Sequence, residues 1–352
     1  ISLIVGFSAP IASTAMAFGK YATAGFPAIH EFWAALILII ALSAVHAIRV
    51  TLGSAIQNVF TILKLLLVGS FIVGGFCLGD FSRLTVETPA ETWQTMLTPG
   101  FAIGLIFVTY AYTGWNGSAY IAGEVKNPSK SLPLAFALGT LIVTLIYLGL
   151  NTVFLISAPV DALSGTIEIG AITAASLFGT HTGQIFSIVI ALLLVSSLSA
   201  MIMAGPRIYQ SMGADYPAFR FLTRRKGDSG PICAIILQAL ISIGMLLTAR
   251  FDELITYMGF TLSVSSALTV FGLFVMRHRA PNAPRPYRCW GYPVTPILFI
   301  GLSLWMIIFT FIQTPQVAIA GTATILAGLG LYFLVRPKHA ITHNNVKNNV
   351  NR

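Results

Sequence analysis

Ten runs of mostly apolar residues dominate this sequence, near 1–19, 32–49, 54–78, 100–122, 134–157, 183–205, 231–249, 254–276, 294–313 and 317–335. A helix needs about 20 such residues to cross a bilayer. In lipid every backbone group must find its partner within the protein, so a span is a helix or part of a closed barrel. Continuous apolar runs without strict alternation select helices. The chain is 56% hydrophobic and 9% charged, whereas soluble domains carry about 25% charged residues. The expected fold class is therefore an all-α membrane protein. One transmembrane domain covers 1–338, and a polar, Asn-rich tail at 339–352 has too few apolar residues to pack.

The net charge of +9 does not point to nucleic acid, because its distribution follows the membrane. With the start of the chain in the cytoplasm and sides alternating, sixteen of the 20 Lys and Arg residues fall on the cytoplasmic side. Only Lys20, Arg83 and Arg250 fall opposite, and Lys64 lies inside a span. This bias predicts two cytoplasmic ends, with membrane lipid as the solvent and the basic run at 224–226 attracted to anionic lipid. Cys77, Cys233 and Cys289 are too widely spaced for a metal motif or a disulfide framework. The six histidines have no ligand spacing, and no stretch resembles a nucleotide-binding loop. The reading therefore assigns no cofactor, no metal and no enzyme chemistry. Ile1 already sits in an apolar run, without a signal-peptide n-region. The expectation drawn from it is a chain that lacks earlier helices.

Residues 107–133, FVTYAYTGWNGSAYIAGEVKNPSKSLP, put Gly114, Asn116 and Gly117 beside Tyr110, Tyr112 and Trp115 in the middle of a span. Gly costs about 1 kcal/mol against Ala in a helix interior, and Asn finds no partner in lipid. Irregular backbone at this depth survives only where it is buried in protein or lines a cavity. Such broken helices form substrate sites in secondary transporters. The competing reading is a continuous helix whose small residues allow close packing. Lys64, in NVFTILKLLLVGSF, lies about 15 Å into its span. An ionisable residue at that depth is a functional candidate, for proton exchange or as a fixed cation. The alternative is a lysine paired structurally inside the bundle.

Three stretches now resemble one family, the amino acid–polyamine–organocation transporters. YAYTGWNGSAYIAGEVKNPSKSLPLA is similar to its sixth helix and following loop, with the pattern E-x-x-N-P-x-x-x-[IL]-P. AMIMAGPRIYQSMGAD resembles the end of its eighth helix, and APNAPRPYRCWGYPVTPILF its R-P-[FY]-[KR]-x-x-G-Y-P-x-x-P loop. The resemblance implies the LeuT-type inverted-repeat fold, with ten of an expected twelve transmembrane helices. On that alignment 1–78 holds helices three to five of the first repeat. Residues 100–276 hold the second repeat and 294–335 hold helices eleven and twelve. The first two helices are then absent.

The resemblance also assigns roles. Tyr110 takes the aromatic position that caps substrate. Ala111, Tyr112 and Thr113 fall where unwound carbonyls meet the substrate amine. Gly114 gives the break room, and Asn116 is a polar position able to reach substrate. Thr113 departs from the glycine of many L-type members. Lys64 matches a fifth-helix lysine whose ammonium occupies a sodium-site region, which argues against sodium coupling there. Ser8 and Ala9 are candidate pocket-lining residues from the third helix, where Pro10 could equally be a kink. Ser197, between Ser196 and Ser199, lines the pocket or makes interhelical hydrogen bonds. Glu124 and Arg207 are inner-gate candidates, and Arg207 also reads as a topology-setting cation. The implied function is secondary active transport of an amino acid by alternating access, coupled to protons or to exchange. A neutral substrate is expected, because no membrane-depth carboxylate suits a cationic side chain. The alternatives are a nontransporting sensor or channel on this fold, or an inactive fragment. The sequence leaves an accessory subunit open.

Overall fold

The computed structural model describes residues 2–48, 54–84, 88–114, 125–223, 230–285 and 287–335, and these are almost entirely helical. A π-helical turn, Ser2–Ser8, leads into α1 (Ala9–Gly25). Pro10 sits in the first turn of α1, where its missing N–H costs nothing. Next come α2 (Glu31–Ile48), α3 (Ser54–Leu78), α4 (Pro89–Met96) and α5 (Pro99–Ala111). They are followed by α6 (Pro128–Ser157), α7 (Val160–Leu163), α8 (Ile169–Phe178) and α9 (Thr180–Asp215). The remaining helices are α10 (Ile232–Thr248), α11 (Phe251–Arg279), α12 (Val294–Gln313) and α13 (Pro315–Val335).

The ten apolar runs are helical over most of their described length. Among the described residues, seven helices are long and apolar enough to cross a membrane, and α4 with α5, bent by 70° at their junction, count as an eighth if the pair is one span. The protein is thus a multi-pass membrane protein. Of the others, α10 has 17 residues and α1 has 17 after its π turn. Span length did not reveal α4 or α8. At 8 and 10 residues, both are too short to cross a bilayer. Helix starts follow local chemistry. Thr88 and Glu91 form a capping box on α4, and the Thr98 hydroxyl accepts the Phe101 N–H to open α5.

The core centres on α1, which packs against α2, α9, α10 and α11. It buries Ala9, Ala12, Ser13, Ala15, Gly19 and Ala22, small residues that let neighbouring backbones approach closely. One cluster joins Val5, Ala9 and Ala12 to Leu254, Tyr257 and Met258 of α11. A second joins Ile11 and Ala15 to Ile39 of α2 and Leu198 and Ile202 of α9. A third, with Phe71, Val153 and Ala174, binds α3, α6 and α8. Leu138, Leu145 and Leu148 on α6 face outward, as a lipid-facing surface requires. Between α3 and α6, the Asp80 N–H donates to the Ile156 carbonyl at 2.9 Å. The Asp80 carboxylate accepts from the Ser82 hydroxyl and N–H at 2.7 and 3.0 Å. These bonds hold its carboxyl below the usual carboxylate range.

The loop between α11 and α12 explains its own motif. Arg285 donates through both terminal nitrogens to the Pro281 and Ala280 carbonyls, each at 2.7 Å, at the end of α11 where carbonyls lack helical donors. Arg277 lies over the Tyr292 ring, 3.5 Å from its centroid.

Candidate functional site

Helix α5 stops at Ala111, well short of the end of its apolar run. The Tyr112 N–H still reaches the Val108 carbonyl at 3.2 Å. The Thr113 N–H and hydroxyl then both donate to the Tyr110 carbonyl, at 3.0 and 2.6 Å. Gly114 follows at φ +105°, a conformation that side chains disfavour. The sequence predicts a break around Gly114, Asn116 and Gly117; α5 ends at Ala111, three residues before Gly114. Asn116 and Glu124 lie outside the described residues, as do Trp115 and Gly117.

A helix C-terminus presents carbonyls without helical donors and carries partial negative charge. The Ala111 carbonyl takes its hydrogen bond from the Tyr147 hydroxyl on α6, at 2.9 Å. The Tyr112 hydroxyl donates to Thr144, also on α6, at 3.0 Å. The Tyr112 and Tyr147 rings meet edge to face with centroids 5.2 Å apart. An ammonium group arriving at the Ala111 carbonyl would replace a neutral hydroxyl with a charge-assisted donor, which is the stronger bond. Tyr110 points the other way, packed against the α1–α11 cluster and hydrogen-bonded to Ser13 of α1. The two tyrosines thus anchor the end of α5 on opposite sides.

Of the residues nominated from the sequence, Ala9 shares a cluster with Tyr110. Ser8 is fully buried, but it donates to the Gln238 carbonyl of α10 at 3.4 Å and also bonds Tyr209 of α9. Lys64 and Ser197 meet directly: the ammonium donates to the hydroxyl at 2.8 Å. Ser199 takes the structural alternative and shares a hydrogen with His46 Nε2 of α2 at 2.8 Å. Arg207 is exposed on α9 and lines a cleft with His46. The sequence did not single out Ser13, Tyr147 or His46. Ser13 was legible as the residue one turn beyond Ala9, and Tyr147 as the partner of Thr144 three positions earlier on one helix face. His46 carried no such signal. Among the described residues, no three His, Cys, Asp or Glu side chains gather as a metal site.

The model of the amino acid permease family matches residues 1–335. The chain is 27% identical over 344 residues to the mouse b(0,+)-type amino acid transporter 1, covering 95% of this chain and 69% of that protein. It is 26% identical over 305 residues to the mouse large neutral amino acids transporter small subunit 2, covering 85% of this chain and 57% of that protein. It is 27% identical over 318 residues to the serine/threonine exchanger SteT of Bacillus subtilis (strain 168), covering 87% and 69%. The chain thus spans between roughly half and two thirds of these relatives' lengths.

Proposed function

Because the chain belongs to the amino acid permease family, we propose that it works in secondary transport of amino acids across the cytoplasmic membrane, with both ends cytoplasmic. The observation that carries this reading is the end of α5 at Ala111, beside a positive-φ glycine, inside an apolar run. Helix-terminal carbonyls at mid-span, such as that of Ala111 held by the neutral Tyr147 hydroxyl, suit an ammonium group able to displace that donor. In this reading residues 100–276 are the second inverted repeat, and 1–78 hold helices three to five of the first. Substrate binds along Tyr110–Gly114 with help from Asn116, and Tyr110 covers it. Alternating access follows from rocking of the bundle about this point. Glu124 and Arg207 close the inner side.

Lys64 supplies either the exchangeable proton or a fixed positive charge that stands in for a coupling cation. Exchange of one amino acid for another is the favoured mode, since a relative of similar identity is named an exchanger. A neutral substrate is favoured because one relative is a large neutral amino acids transporter subunit and another a serine/threonine exchanger.

The test is uptake of labelled neutral amino acids by proteoliposomes containing the protein, either preloaded with unlabelled amino acid or under an inward proton gradient. Uptake that needs preloading identifies an exchanger, and uptake driven by the gradient identifies a proton symporter. Absence of both, with ligand still bound, would replace transport by sensing.

A further inference from the structure

The loop between α11 and α12 carries positive charge that the described residues do not balance. It joins two spans, Phe251–Arg279 and Val294–Gln313, so it lies at a membrane interface. Arg277, His278 and Arg279 end α11, and Arg285 and Arg288 follow in the loop. No Asp or Glu follows Glu253 in the sequence. Each ion pair among the described residues lies elsewhere. Arg285 directs its terminal nitrogens to two neutral carbonyls, which pins the loop and leaves the charge uncompensated. Tyr292 pins it a second time. Its ring centroid is 5.4 Å from that of Phe274 and 3.5 Å from the Arg277 guanidinium. That contact orders Arg277 but supplies no oxygen acceptor for its N–H groups, and among the described residues its buried Nε has no partner. Arg288 lies between the two pinned points, and both Arg288 and Arg279 are exposed. Beside them Trp290 is 82% exposed and Tyr287 is 53% exposed, aromatic types that settle at headgroup level. Val294, Ile297 and Leu298 follow on one face of α12, and all three are exposed.

We infer that this loop holds the headgroup of one anionic phospholipid at the membrane surface. The phosphodiester accepts from the Arg277 and Arg288 guanidinium groups, with the Arg279 charge beside them. Trp290 and Tyr287 sit among the headgroups, and an acyl chain runs along Val294, Ile297 and Leu298. The unbalanced charge selects an anionic lipid over phosphatidylcholine, whose choline already neutralises its phosphate. The adjoining apolar face selects a lipid over a free phosphate or an acidic peptide, neither of which has a chain to cover it. The site uses no residue of α5 and stands whether or not the protein transports.

The test is native mass spectrometry of the protein in neutral detergent, titrated with phosphatidylglycerol or phosphatidylcholine. A first phosphatidylglycerol should be retained at concentrations where phosphatidylcholine is not. Arg277→Gln and Arg288→Gln should each weaken that binding at least about fivefold, the scale of one lost charge-assisted bond. Arg220→Gln removes an exposed arginine from the turn Pro217–Thr223 after α9 and should leave the binding unchanged. Arg288 is exposed, so its variant keeps the fold, checked by the thermal midpoint without added lipid. Equal retention of phosphatidylcholine overturns the proposal, as does unchanged binding in the Arg277→Gln, Arg288→Gln double variant. A loss in Arg220→Gln as large as in Arg288→Gln would reduce the effect to diffuse attraction and also overturns it. Displacement of phosphatidylglycerol by glycerol 1-phosphate or by an oligoglutamate peptide at equal concentration would show that charge alone is recognised, with the same consequence.

Discussion

The Lys64 ammonium on α3 donates to the Ser197 hydroxyl on α9 across 2.8 Å, joining residues 133 positions apart. It lies about 15 Å into its span, and its partner is neutral. An unpaired positive charge held by a hydroxyl can be released to do other work. A hydrogen bond to a charged group is worth about 1.5–3 kcal/mol. Lys64→Ala is therefore expected to lower amino acid uptake roughly tenfold or more, with membrane yield unchanged. Ser197→Ala should cost less, because the ammonium survives. Full gradient-driven accumulation by Lys64→Ala would remove this residue from the mechanism.

Gly114 offers a separate test of the break. Its φ of +105° is unfavourable for any side chain, although a Cβ there meets open space. Gly114→Ala should thus strain the backbone by about 1–3 kcal/mol without a steric clash. Uptake should fall more than the thermal midpoint in detergent does. A midpoint and a rate both equal to the parent's would mean that this conformation is not needed.

The Tyr147 hydroxyl holds the Ala111 carbonyl. Tyr147→Phe keeps the ring packing against Tyr112 and removes only that donor, a loss of about 1 kcal/mol. If substrate ammonium takes the same carbonyl, the variant should bind amino acid more tightly, because no competing donor has to leave. Isothermal titration reads this directly, and weaker binding would give Tyr147 a supporting role instead.

Gly19 on α1 faces the Glu31 carbonyl at the start of α2, and a Cβ there would overlap backbone rather than a movable side chain. Gly19→Ala should destabilise the protein by about 1–3 kcal/mol, lowering its midpoint in a thermal shift assay. Gly104→Ala, where a Cβ meets nothing within 4 Å, is the matched control and should be neutral or slightly stabilising.

Asp80 gives a pH-dependent prediction outside the membrane. Its carboxyl is held low by the Ser82 hydroxyl and amide, so its contribution is complete above the ordinary carboxylate pKa of about 4. It is lost as pH falls through the lower folded value. The protection factor of the Ser82 amide should therefore fall on acidification below that point. In Asp80→Asn the exchange should already be fast at neutral pH and show no acid-induced step.

Membrane class, helical spans and the end of α5 near Gly114 were legible from the sequence, because each rests on local chemistry. Lipid tolerates only long apolar helices, and Gly114 among polar and aromatic neighbours marks where a helix cannot continue. The family pattern at 280–299 was legible too, but its reason was not. Arg285 closes the end of α11 through carbonyls that only the folded loop brings within reach. Tertiary structure alone decided which side chains meet. Lys64 was visible as a buried charge, yet Ser197 became its partner only through the packing of α3 on α9. His46 was invisible because a lone histidine in an apolar helix carries no pattern. What distinguishes it is burial beside Ser199 with one nitrogen left over. The short helix α8 escaped notice for the same reason. Ten residues cannot span a bilayer, so their place is set by contacts with α6 and α9 rather than by their own length.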